Sequence, residues 1–270
     1  MEAMELIGFE KGKSCPCTFV HEARELRAVV HGDDFTVLGW ENQLDWFWQK
    51  IKEKFECKHR GRIGPKAKDA KSIRILNRVV TWTEEGIEYE GDQRHVEICM
   101  KELKLCEDSK EVTTPGEKSQ KKNQSREVLG RDESKKFRGI TARLNYLGQD
   151  RSDIQNAAKE LSKAMANPTD EDLIKAKRVV RYLKGRPRFV LKYGYQEKPT
   201  GLSVWTDTDF AGCSKTRKST SGGLIMHGTH VIKSWSTIQA VIALSSGEAE
   251  YYGLVKGASV ALGIKRYQKM

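Results

Sequence analysis

The residues of this 270-residue chain best suited to chemistry are carboxylates. His31-Gly32-Asp33-Asp34-Phe35 sets two adjacent acids on a tight bend between the apolar runs Ala28–Val30 and Phe35–Leu38. Neighbouring carboxylates repel, and a divalent cation such as Mg²⁺ offsets that cost through oxygen ligands; an exposed acidic turn screened by water is the other reading. A second group lies in Val204-Trp205-Thr206-Asp207-Thr208-Asp209-Phe210, where strand alternation would put Asp207 and Asp209 on one face. Glu248 stands in the first turn of a closing helical pattern, whose packing would carry it towards that strand. Such carboxylates suit two-metal phosphodiester chemistry, in which cations about 3.5–4 Å apart generate the attacking hydroxide and steady the leaving oxygen. Glu248 also completes Ser245-Ser246-Gly247-Glu248, an S-x-x-E capping box, and closing that box is its alternative role.

The elements that must position these groups follow from hydrophobic spacing. Thr18–Val20 and Arg27–Leu38 are β-prone around the turn-like Glu22–Glu25, and the second is broken by Gly32, Asp33 and Asp34. Leu44, Phe47, Trp48, Ile51 and Phe55 recur at helical intervals over Glu41–Phe55. Ser72–Trp82 and Ile87–Tyr89 flank Glu84, Glu85 and Gly86, a second hairpin, and Val96–Leu105 reads as a short helix. Three further helices are predicted from Phe137, Ile140, Leu144 and Leu147; Ile154, Ala157, Ala158, Leu161 and Met165; and Leu173, Ala176, Val180 and Leu183. The third opens on Pro168, a Thr169 cap and three acids, and ends among basic residues, which suits the helix dipole. Phe189–Tyr193, Leu202–Phe210, Ser221–His227 and Val231–Trp235 then read as an antiparallel meander, closed by a helix with Tyr251, Leu254, Val255, Ala258 and Leu262 towards a core. The expected fold class is α+β.

Between these parts, Glu107–Glu133 holds only Val112, Val128 and Leu129 as aliphatic residues, with 6 basic against 7 acidic side chains. It reads as a mobile linker that cannot bury enough apolar area to order itself.

Charge narrows the partner class. The chain carries 48 Lys plus Arg against 37 Asp plus Glu, a formal charge of +11. From Ser134 to Lys192 there are 15 basic and 6 acidic residues, so +9 of that surplus falls on the helical unit. Lys177, Arg181 and Lys184, with Arg178 beside them, recur on one face of its third helix, where a phosphate backbone would lie; an ordinary solvated face is the alternative. No run approaches the roughly 20 apolar residues of a membrane span, and the first residues lack a signal-peptide pattern. The six cysteines are scattered, consistent with reduced thiols in a cytoplasmic or nuclear setting. Cys15 and Cys17 with His21, or Cys57 with His59, lack the paired spacing of a zinc site.

Several blocks together resemble one family. VVHGDDFTVLG looks like the catalytic hairpin of a reverse transcriptase, and LNYLGQDRSDI, NPTDEDLIKAKRVVRYLKG, WTDTDFAG, TRKSTSGG, SW and ALSSGEAEYYG resemble, in order and spacing, the Pol polyprotein of copia-type LTR retrotransposons. The resemblance implies a partial reverse-transcriptase palm over residues 1–106, a linker over 107–133, a helical thumb over 134–186 and a truncated RNase H-like domain, a mixed sheet with a covering helix, over 187–270. Asp33 would match the polymerase metal-binding aspartate with Asp34 its neighbour, and Asp207 and Glu248 the first two RNase H carboxylates. Asp209 and Glu250 would be bystanders. Leu76 and Asn77 would fall near the primer grip, and the thumb's basic helix would track the duplex backbone. Mg²⁺ or Mn²⁺ would be the cofactor; template-primer duplex or RNA/DNA hybrid, with remaining Pol segments, would be the partners.

His31, Gly32 and Asn77 depart from the residues common in that family. The chain starts about thirty residues before the Asp-Asp turn and stops before the strand expected to carry a third RNase H carboxylate, so both metal sites are expected to be incomplete. The expectation is a retrotransposon polymerase and ribonuclease H segment inactive by itself, with a non-catalytic basic nucleic-acid-binding protein, or a product without a selected role, as alternatives.

Overall fold

The structure is a computed structural model, described here for residues 2–91, 93–106, 108–117 and 127–268, the side chains of 266–268 excepted. It is α+β, with three antiparallel sheets and seven α-helices among those residues. The chain divides into two compact units, Met1–Gly61 with Ala258–Met270, and Arg62–Gly257.

In the first unit, α1 (Glu2–Glu5) leads to a sheet of order β1-β2-β3-β4: β1 (Glu10–Lys11), β2 (Thr18–His21), β3 (Leu26–His31) and β4 (Asp34–Leu38). Phe19, Leu26 and Ala28 point to one face, and α2 (Glu41–Lys52) covers it with Phe47 and Ile51. These are the helical positions read from the sequence, although the helix stops at Lys52 and Phe55 beyond it is 44% exposed.

The second unit opens with β5 (Ser72–Ile75), β6 (Arg78–Thr83) and β7 (Gly86–Gly91), followed by α3 (Arg94–Glu102). The predicted single run Ser72–Trp82 is thus two strands joined at Leu76 and Asn77. The helices α4 (Arg131–Leu147), α5 (Gln155–Ser162) and α6 (Asp170–Gly185) carry the predicted stripes inward: Phe137, Ile140 and Leu144, then Ala158 and Leu161, then Ala176, Val180 and Leu183 form one buried cluster with Cys99 of α3. Thr169 and Asp172 close a capping box at the start of α6. β8 (Val190–Gly194) pairs with β7, extending the β5-β6-β7 sheet; the predicted four-stranded meander therefore loses its first strand to the earlier hairpin.

What remains is a three-stranded sheet of order β11-β10-β9, made from β9 (Leu202–Thr208), β10 (Thr220–His227) and β11 (His230–Ile238), and then α7 (Ser246–Gln268). The helix meets the sheet through Ala249, Gly253 and Gly257. A Cβ at Gly257 would stand 2.7 Å from the Thr206 methyl, and one at Gly253 would stand 2.5 Å from the Thr208 hydroxyl oxygen. The predicted core stripe of α7 is outside instead: Tyr251, Leu254, Val255 and Leu262 are 50–64% exposed. Small residues let the helix axis approach the strands more closely than the large ones would, which turns the bulky stripe away.

Part of the segment expected as a linker packs on the helices. Residues 108–117 and 127–130 have no helix or strand of their own, yet they lie along α6 and its N-terminus. Val112 and Leu129 pack on the helical core, Leu129 N–H donates to Pro168 O at 3.0 Å, and Val128 bridges to Thr169. Composition measured what the segment could bury by itself, whereas it borrows the surface of the helices. The rest of the expected linker, 107 and 118–126, lies outside the described residues.

Candidate functional site

The Asp33–Asp34 turn is a two-residue hairpin closed by the pair His31 and Asp34. Gly32 takes φ +62° and Asp33 does not share that region, the pattern of a type II′ turn with glycine at its first central position. A Cβ at Gly32 would meet nothing within 4 Å. Asp33 and Asp34 are both exposed, so water screens their repulsion.

The Leu76–Asn77 turn has the same length and the opposite setting. Both residues are left-handed, with φ +48° and +61°, as a type I′ turn demands, although leucine is a poor occupant. Polar groups distant in sequence hold it. Leu76 O accepts from Arg78 Nη1 at 2.9 Å and from Tyr146 O–H at 3.0 Å, and Asn77 Oδ1 accepts from Arg94 Nη2 at 3.0 Å. Arg78 Nε also donates to Asp150 Oδ2 at 3.0 Å, and Tyr89 O–H donates to Asp150 Oδ1 at 2.7 Å. Burial, and then the bond to the Asp150 carboxylate, push the Tyr89 phenol well above its ordinary pKa. Arg78, Tyr89, Tyr146 and Asp150 went unnoticed in the sequence; the tyrosine and aspartate within LNYLGQD were the available signal.

The structure does not bring Asp207 and Glu248 together. Val204, Thr206 and Thr208 of β9 face α7, as the contacts at Gly253 and Gly257 show, so alternation turns the exposed Asp207 to the opposite face. There its cross-strand neighbours are Gly222 and then Ser236, and the facing helix is α5, whose Asn156 meets Ser236 and whose Lys159 donates to Thr220 Oγ1 at 2.8 Å. Glu248 is committed to its own helix start. Its carboxylate accepts the Leu244 N–H at 2.7 Å and the Tyr252 O–H at 2.8 Å, while its own N–H donates to Ser245 Oγ at 3.1 Å. Those two bonds hold the Glu248 carboxyl below its ordinary pKa, the backbone bond most. The capping reading describes this residue. Asp209 is a loop brace, its Oδ1 accepting the Thr220 N–H at 2.7 Å.

The basic face of α6 is present and mostly engaged. Lys177 is exposed. Arg178 donates to Thr114 Oγ1 at 3.0 Å and pairs with Glu117 at 2.6 Å; Arg181 donates to Lys110 O; Lys184 donates to Ser109 O at 2.8 Å. The acids of α6 are confined to its first turn, and residues 108–117 supply oxygen acceptors to these cations.

The resemblance implies Mg²⁺ or Mn²⁺. Asp207 and Glu248, on opposite faces, do not fit one two-metal site, and no three His, Cys, Asp or Glu side chains converge as a metal centre among the described residues.

Comparison with known proteins identifies the origin. The molecule is a retroelement-derived α+β protein. The retrovirus-related Pol polyprotein from transposon RE1 of Arabidopsis thaliana is 38% identical over 125 residues, which are 46% of this chain and 8% of that protein. The uncharacterized mitochondrial protein AtMg00810 of the same plant is 37% identical over 124 residues, 46% of this chain and 51% of the relative. Secreted RxLR effector protein 161 of Plasmopara viticola is 31% identical over 112 residues, 42% of this chain and 78% of the relative. Further Pol polyproteins, from transposon RE2 of Arabidopsis thaliana and TNT 1-94 of Nicotiana tabacum, are 37% and 32% identical, so several of the relatives of this chain are retrovirus-related Pol polyproteins of copia-type transposons. It spans about one-twelfth of the Pol polyproteins it matches and about half of the mitochondrial relative. No family model and no solved structure matches it.

Proposed function

We propose that this chain engages nucleic acid, a template-primer duplex or an RNA/DNA hybrid, through the basic face of α6, and that it shares its Asp33–Asp34 hairpin and its C-terminal sheet with the polymerase and ribonuclease H parts of copia-type Pol. The observation that carries this reading is the concentration of charge: +9 of the +11 falls between Ser134 and Lys192, and Lys177, Arg178, Arg181 and Lys184 follow one another on a single helix. Over the six residue steps from Arg178 to Lys184 the helix rises about 9 Å, so its cations meet more than one phosphate of a duplex strand. Binding is favoured over cleavage by Asp207 and Glu248 because those two side chains serve different faces and Glu248 already caps a helix. Divalent metal at the exposed Asp33–Asp34 turn, and further Pol segments as partners, belong to the same reading.

Binding of a labelled RNA/DNA hybrid measured across salt concentrations tests it. Lys177, Arg181 and Lys184 replaced together by Gln should flatten the log–log salt dependence by about 2 to 3. An unchanged slope removes α6 from the account. Robust Mg²⁺- or Mn²⁺-dependent hybrid cleavage, abolished by Asp207→Asn, overturns the preference for binding over catalysis.

A further inference from the structure

The cations that would meet a phosphate backbone are already holding something of similar chemistry. Residues 108–117 carry Asp108, Glu111 and Glu117 against one cation, Lys110. They run along α6 and present oxygens to it in order: Ser109 O to Lys184, Lys110 O to Arg181, Thr114 Oγ1 and the Glu117 carboxylate to Arg178. The Glu111 side chain lies against Gly185, where an added Cβ would stand 2.7 Å from Oε2. An acceptor spaced along three successive cation positions is what a nucleic-acid strand offers.

The attachment is shallow. The segment has no helix or strand, Val112 is the apolar residue by which it packs on the helical core, and the Arg178 and Arg181 bonds are exposed to water, where competing ions weaken them. Glu111 sits at the C-terminal end of α6, where the helix dipole disfavours a negative charge. Being covalently tethered, the segment nonetheless returns at high effective concentration when the face is vacant.

We propose that residues 108–117 are a displaceable cover of the α6 basic face, so that docking of this segment and binding of a nucleic-acid duplex exclude one another. This rests on the nucleic-acid-binding reading given above. The cover lowers affinity for weak, non-specific polyanions and yields to a ligand that engages Lys177, Arg178, Arg181 and Lys184 together. Lys177, which the segment leaves exposed, is the position from which an arriving strand displaces it.

Hydrogen exchange on the full chain, read by mass spectrometry over peptides within 108–117, tests the cover with and without a saturating 20-base-pair RNA/DNA hybrid. The expected result is partial protection in the free protein and faster exchange in the complex. Glu111→Gln with Thr114→Ala and Glu117→Gln should raise hybrid affinity three- to tenfold. The equal charge change Glu84→Gln with Glu85→Gln, on the β6–β7 turn, should raise it less than twofold. No protection in the free protein, unchanged exchange in a complex whose salt slope depends on Arg181 and Lys184, or equal gains from the two charge changes, each overturns the cover while leaving the binding reading intact. A salt slope indifferent to Lys177, Arg181 and Lys184 defeats the binding reading itself.

Discussion

The two hairpin turns of this chain, Gly32–Asp33 and Leu76–Asn77, solve the same problem in different ways. Each reverses an antiparallel pair in two residues and each needs a positive φ. The first meets that need with glycine and leaves its acids in water. The second places a leucine in the left-handed region and holds it with Arg78, Arg94, Tyr146 and, behind them, Asp150. A turn shaped by its own residues keeps its form when its surroundings change. A turn shaped by partners 17 to 70 residues away is coupled to the helices that carry them. The contrast teaches that the Leu76–Asn77 tip is locked to α4, whereas the Gly32–Asp33 tip is autonomous.

The sharpest way to break the contrast is to remove its anchor. Asp150→Ala leaves Arg78 and Tyr89 facing a low-exposure site without their acceptor, and should destabilise the Arg62–Gly257 unit by about 3 kcal/mol in urea unfolding. The two tips should then respond in opposite directions to a change at the left-handed position. Gly32→Ala meets no steric obstacle and should cost about 1 kcal/mol, through backbone conformation alone. Leu76→Gly should stabilise by about 0.5 kcal/mol, since glycine relieves the φ +48° strain. A destabilising Leu76→Gly would show that the leucine side chain, and not the network, fixes that turn.

A smaller effect is resolved by pH. The Tyr89 phenol has a raised pKa in the folded state, so its contribution is complete below the ordinary tyrosine pKa and is lost as alkaline pH climbs from that value towards the folded one. Tyr89→Phe should therefore flatten the alkaline limb of the stability curve, measured by urea midpoints at pH 9 to 11. The least effect belongs to the autonomous tip: Asp33→Asn should change stability by no more than about 0.5 kcal/mol, because the carboxylate is exposed on a turn whose shape glycine sets.

The same contrast accounts for what could be read from the sequence. The Gly32-Asp33-Asp34 bend was legible because its signal is local, a glycine between two β-prone runs. The Leu76–Asn77 break was not, because nothing within Ser72–Trp82 marks a turn and its cause lies on α3 and α4. The helical stripes of α4, α5 and α6 were legible from period alone. That period misled for α7, where Ala249, Gly253 and Gly257 form the contact and the large residues face out. Alternation was expected to set Asp207 and Asp209 on one face, but β9 ends at Thr208 and Asp209 braces the loop beyond it, while the direction of Glu248 depended on a helix cap that claimed its carboxylate first. The order in 108–117 escaped a composition argument because its acceptors answer cations some seventy residues further along the chain.

The smooth ridge of α7 has a consequence for how that helix is set lengthwise. Gly253 and Gly257 are four residues apart, so a slide of about one turn would carry Ala249 or Ala261 into a place where a Cβ stands 2.5 Å from the Thr208 hydroxyl or 2.7 Å from the Thr206 methyl. Polar contacts add to that fit: Gln239 donates to Ala249 O at 2.8 Å, and Lys256 reaches Thr237 Oγ1. Two side-chain-free positions, with hydrogen bonds beside them, act as the detent that stops the helix where it rests.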